Sequence, residues 1–114
     1  MKYFILILSI LLSVEAFAGA VQTGKITRLL VHNNASSTAD SAQRVIIQLG
    51  SDISNGLCSD KRYWGMYLKS EVERAQYSML LASYMAGKTV KIWGNPEERC
   101  VNSNERVRNV EIVD

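Results

Sequence analysis

The chain is poor in the residues that most often carry chemistry, with one histidine and two cysteines among 114 residues. A structural or catalytic metal site built from histidine and cysteine needs several of them at short spacing, and no such cluster occurs. His32 follows a strand-like stretch with no cysteine nucleophile beside it and no metal-spaced companion, so it reads as a lone loop imidazole. Cys58 and Cys100 are much too far apart in sequence for CxxC redox chemistry. Glu97-Glu98 comes nearest to a carboxylate pair, but adjacent acids behind Pro96 read as a solvated charge cluster rather than two facing groups. The expectation is a non-enzymatic protein with no catalytic residue, no metal and no cofactor.

A strong charge of either sign is also missing. The 13 basic and 11 acidic residues leave a net charge of +2, and removing Lys2 and Glu15 with the leader described below takes one from each side. That balance is too mild for a nucleic-acid partner. Only one long apolar run occurs, Phe4 to Val14, behind Lys2. It is shorter than the about 20 residues of a membrane helix and is closed by Glu15. Ala16-Phe17-Ala18 then supplies small residues where a signal peptidase needs them, and Ala18-Gly19-Ala20 does so nearly as well. The reading is a secretory signal over 1–18, with cleavage after Ala18 or after Ala20, and one domain over 19–114. No cysteine stands at the cleavage point for a lipid anchor, and no later stretch is apolar enough to span a bilayer. The expected product is exported, periplasmic or secreted, with no membrane span.

About 95 residues make a small domain with a marginal core, a class in which exported proteins often add a crosslink. A Cys58–Cys100 disulfide is the reading for the two cysteines, with buried free thiols or an intermolecular bond as alternatives. Closing that loop would stabilise by about 4 kcal/mol in the chain-entropy view.

What is present is a clear order of elements. Lys25–Val31, Arg44–Leu49 and Tyr63–Leu68 read as strands, with Val45, Ile47 and Leu49 on one face and Trp64, Met66 and Leu68 on another. Between the first two lies a polar loop, His32–Ser41, which contains a formal glycosylation sequon at Asn34; the connection from Gly50 to Arg62 is expected to be constrained by Cys58. Ser70 and Glu73 then form an S-x-x-E capping box, and Gly87 supplies a stop, which sets a helix over Ser70–Ala86. Lys88–Trp93, with Val90 and Ile92 inward, and Arg106–Val113, with Val110 and Ile112 inward, complete the order β-β-β-α-β-β. The class is mainly β with one helix, and the order is that of a five-stranded OB-type barrel. Neither an internal repeat nor a low-complexity tract is present.

Two surfaces stand out. No charge occurs from Gln76 to Gly87. One helix side carries Tyr77, Leu80, Leu81, Tyr84 and Met85, assigned to the core. The opposite side carries Val72, Ala75, Met79, Ala82 and Ala86, either covered by a neighbouring subunit or sunk beneath loops. The second surface is the outward set Tyr63, Tyr67 and Trp93 with Lys69, Lys91, Arg44 and Gln48. Aromatic rings beside cations and amides suit oligosaccharides or bases, and equally serve simply to cover a sheet.

The leader, the element order, the segment from Tyr77 through Gly87 to Val90 and the Cys58/Cys100 pair together resemble small exported OB-fold proteins related to AB5 toxin binding subunits, particularly the subtilase cytotoxin B-subunit group. The resemblance covers nearly the whole exported chain. It implies a homo-oligomer, a ring of five with helices toward the axis, that recognises a cell-surface glycan and partners an exported enzymatic subunit. The residues assigned to glycan binding are Ser59, Arg62, Tyr63, Tyr67, Lys91 and Trp93. The alternative is a monomeric periplasmic structural or inhibitor-like protein that binds another protein.

Overall fold

A computed structural model describes residues 19–33 and 43–114. The leader and the sequon-containing part of the loop after His32 lie outside the described residues. The elements are β1 (Val21–Lys25), β2 (Arg28–Asn33), β3 (Gln43–Gln48), β4 (Asp60–Tyr67), α1 (Glu71–Ala86), β5 (Thr89–Gly94), β6 (Cys100–Val101) and β7 (Asn104–Ile112). They form one seven-stranded mixed sheet in the order β1-β5-β7-β4-β3-β2, with β6 on β7. The β4–β7 pair is parallel and every other pair is antiparallel.

Seven strands replace the expected five. The first expected strand is two, because the chain turns at Ile26, which is buried, and the exposed Thr27. There the Thr27 N–H donates to the Gln48 carbonyl at 2.8 Å. β1 has the sequence VQTGK, which lacks an apolar alternation to announce it. β6 is only two residues long. Among the described residues no ladder joins β1 to β2, so the sheet is not closed into the expected barrel.

The alternation of apolar residues fixes the core. Val45, Ile47, Leu49, Trp64, Met66, Val90 and Ile92 are buried, and Leu68 packs against them. Trp64 is wholly inside, and its indole N–H donates to Gln22 Oε1 at 2.8 Å, so the buried ring keeps a partner for its one polar atom. The Gln22 amide passes the link on to the Ser51 carbonyl at 2.9 Å. In β7 the inward residues are Val107 and Val110, while Ile112, at the far end of the β5 ladder, is exposed.

The helix ends as its caps require. Glu73 N–H donates to Ser70 Oγ at 3.1 Å, Ser70 N–H donates to Glu73 Oε1 at 3.0 Å, and Gly87 closes the helix at φ 66°. Its faces differ from the expectation. Leu80 and Ser83 are buried and Tyr77 packs on the core, whereas Leu81, Tyr84 and Met85 are exposed. Apolar residues run around most of this helix, so periodicity could not select the inward side. A polar contact helps define it: Gln76 Nε2 donates to the Arg108 carbonyl of β7 at 2.7 Å. Val72, Ala75, Ala82 and Ala86 face solvent and Met79 is half-buried. No helix of the described residues is long and apolar enough to cross a membrane.

The Cys58–Cys100 disulfide is present, with a Cα–Cα distance of 5.9 Å, and ties the loop before β4 to β6. Replacing both cysteines with serine is expected to lower the unfolding free energy in chemical denaturation by about 4 kcal/mol while leaving the helical signal intact. An unchanged denaturation midpoint would contradict the assigned role.

Candidate functional site

β4 presents Tyr63 and Tyr67 on the face opposite Trp64 and Met66, because successive strand residues alternate. Tyr63 is half-buried, and two arginines approach its ring. Arg28 of β2 donates from Nη1 to Tyr63 Oη at 3.1 Å, with its guanidinium carbon 5.5 Å from the ring centroid. The Arg62 guanidinium lies 5.1 Å from the same centroid. Asp60 holds Arg62 by a fork, Nε to Oδ1 at 3.2 Å and Nη2 to Oδ2 at 3.2 Å, and also accepts the Arg62 backbone N–H at 3.0 Å. The side-chain bonds from Arg62, then its backbone N–H, hold the Asp60 carboxyl below the ordinary carboxylate range, and the same pairing raises Arg62.

Tyr67 repeats the theme further along the strand. Arg44 stands opposite it on β3, and the Arg106 guanidinium of β7 lies 4.9 Å from its ring. Arg106 is ion-paired with Glu98. Between the two tyrosines Gly65 is covered by β6: a Cβ on Gly65 would come within 3.1 Å of the Val101 Cβ. The Arg28–Tyr63–Arg62 cluster and the Tyr67–Arg106 pair therefore flank the disulfide-bound hairpin.

Trp93 and Lys91 are elsewhere. Lys91 Nζ lies 4.8 Å from the Trp93 ring on β5, and Trp93 stands opposite Val21 and Asn109. Because β7 separates β5 from β4, the expected single aromatic and basic face is two patches. Alternation shows which side chains share a face of one strand, but it carries no information on strand order. Ser59 is exposed immediately after Cys58. Lys69 lies past the end of β4, where its N–H donates to the capping Glu73. Half-buried His32 stands opposite Arg44 on β2, in a strand rather than a loop. The Glu97 and Glu98 amides both donate to Asn95 Oδ1 at 3.0 Å, so those two acids belong to a side-chain-stabilised turn.

The residue that sequence reasoning missed is Glu105. It is buried on β7 opposite Trp64 and Cys100, and its Oε1 accepts the N–H groups of Leu57 and, at 2.7 Å, of Cys58. Gly56 leaves room for it, since a Cβ there would stand 3.1 Å from that oxygen. In sequence Glu105 lies within an alternating polar strand and resembles any exposed acid.

No family model matches this chain, and no curated protein or solved structure is significantly similar to it. The arrangement itself is suited to binding: two exposed guanidinium groups are held about a phenol on a braced strand. Because the Asp60 carboxyl is lowered from its reference of 3.8, the pair holds Arg62 fully above that pH and releases it only as pH falls through the lower folded value. A carbon-detected titration should place the Asp60 midpoint below 3.8, with a coincident shift of the Tyr63 ring signals. In Asp60→Asn that coincident shift should vanish. A midpoint at or above the reference would contradict the pairing.

Proposed function

We propose that this chain is an exported, non-enzymatic binding module of OB type that recognises a cell-surface glycan and acts as an oligomer. The observation that carries the glycan reading is the pair of outward tyrosines on β4, with arginines at 5.5, 5.1 and 4.9 Å from their rings. Rings with adjacent cations and amides provide sugar-stacking surface and orienting donors on one face. The OB reading is supported by the strand order. If β1 and β2 are two halves of one bent strand and short β6 is set aside, the chain runs β-β-β-α-β-β and both ends of the strand path belong to that one strand.

Export is supported by the leader sequence and by the disulfide, a bond that persists in oxidising compartments. Assembly is supported by the helix exterior, where Val72, Leu81, Tyr84 and Met85 are exposed beside Ala75, Ala82 and Ala86. Five copies and an exported enzymatic subunit are what the toxin-subunit resemblance adds. The same helix surface favours the second reading, a monomer that docks on another protein.

Two measurements separate these readings. On a glycan array the native protein should bind at least one glycan above background, and Tyr63→Ala should weaken that binding about tenfold or more, which corresponds to about 1.4 kcal/mol. Trp93→Ala, in the other patch, should leave it within about twofold if the β4 face is the site. Absence of any glycan signal for the native protein would sink the glycan reading. Light scattering at micromolar concentration should report an oligomer, and a stable monomer would remove the ring model.

A further inference from the structure

We infer that the Arg28–Tyr63–Arg62 cluster is a site for the sulfate or phosphate ester group of an acidic saccharide, an inference that rests on the glycan reading above. Tyr63 differs from a bare stacking platform. Two guanidinium groups lie within 5.5 Å of its ring centroid, and one also holds its hydroxyl, so a neutral sugar laid on this ring competes with two cations. A ligand carrying negative charge gains from both instead.

The donors that remain open narrow the choice of anion. Arg62 has spent its Nε/Nη2 edge on the Asp60 carboxylate, which keeps the group in place and leaves Nη1. Arg28 uses Nη1 on a phenol rather than on a carboxylate, so its positive charge is not neutralised in that bond and its Nε/Nη2 edge can meet a ligand. A carboxylate has two oxygens and fills one guanidinium edge with both. A sulfate or phosphate ester has three terminal oxygens, enough to meet the edge of Arg28 and still accept from Arg62. Both arginines are exposed, so their long side chains can close on such a group with little repacking.

The test is calorimetric titration of the full exported chain with one neutral oligosaccharide and with the same sugar carrying a sulfate ester, a phosphate ester or a carboxylate. The ester forms should bind at least about tenfold tighter than the neutral parent, and their advantage should shrink as salt rises. The sulfate and phosphate arms identify which ester is the source. Arg28→Gln and Arg62→Gln should each bring the ester and neutral forms to within about twofold of one another while leaving the melting temperature unchanged. Equal binding of neutral and ester forms would overturn the inference and leave the glycan reading standing. So would a carboxylate arm as tight as the esters, or an ester advantage that survives Arg28→Gln. Failure of all four sugars to bind would overturn both.

Discussion

The side chain of Glu105 is the constraint on which the Tyr63 cluster of β4 depends. It lies inside the protein and accepts two backbone N–H groups, those of Leu57 and Cys58. A buried backbone amide left without an acceptor costs about 1–3 kcal/mol, so this one side chain secures the turn before β4. The same short stretch carries the disulfide to Cys100, whose neighbour Val101 covers Gly65 of β4. Ile53, buried behind it, donates its N–H to the Lys61 carbonyl at 2.8 Å. β4 therefore starts from a braced point, and Asp60, Arg62 and Tyr63 are the first residues to benefit.

Rigidity of this kind has a functional consequence. Arginine and tyrosine side chains at a surface lose conformational freedom when they bind, and any freedom lost on folding is not lost again on binding. Arg62 is already tethered by Asp60, and Arg28 by the Tyr63 hydroxyl. The helix is the opposite case. Its inward side is secured by Tyr77, Leu80 and the Gln76 bond to β7, while its outer side offers alanines and flexible apolar groups with no charge from Gln76 to Gly87. One face of the molecule is polar and preorganised, and another is apolar and adaptable.

Much of this was legible in the residues themselves. The capping box and Gly87 set the helix ends because capping is local chemistry, and the alternation of Val45/Ile47/Leu49 and of Val90/Ile92 set the buried faces because strand geometry is local too. Strand order was not legible. It placed β7 between β5 and β4, so Trp93 parted from Tyr63 and Tyr67 although all three face outward. The helix sides were misjudged since its apolar residues are spread around it, and a hydrogen bond from Gln76, invisible to hydropathy, helps decide its rotation. Glu105 was hidden because its role comes from amides 47 and 48 residues away in sequence.

Amide hydrogen exchange on Glu105→Ala tests the central claim most directly. In the native protein the Leu57 and Cys58 amides should be among the slow exchangers. In the variant both should lose protection, and the Tyr63 ring and Arg62 side-chain signals should shift with them, while the β1–β5 ladder stays protected. If those two amides remain slow, or if they open while the Tyr63 cluster is unmoved, Glu105 does not brace that cluster.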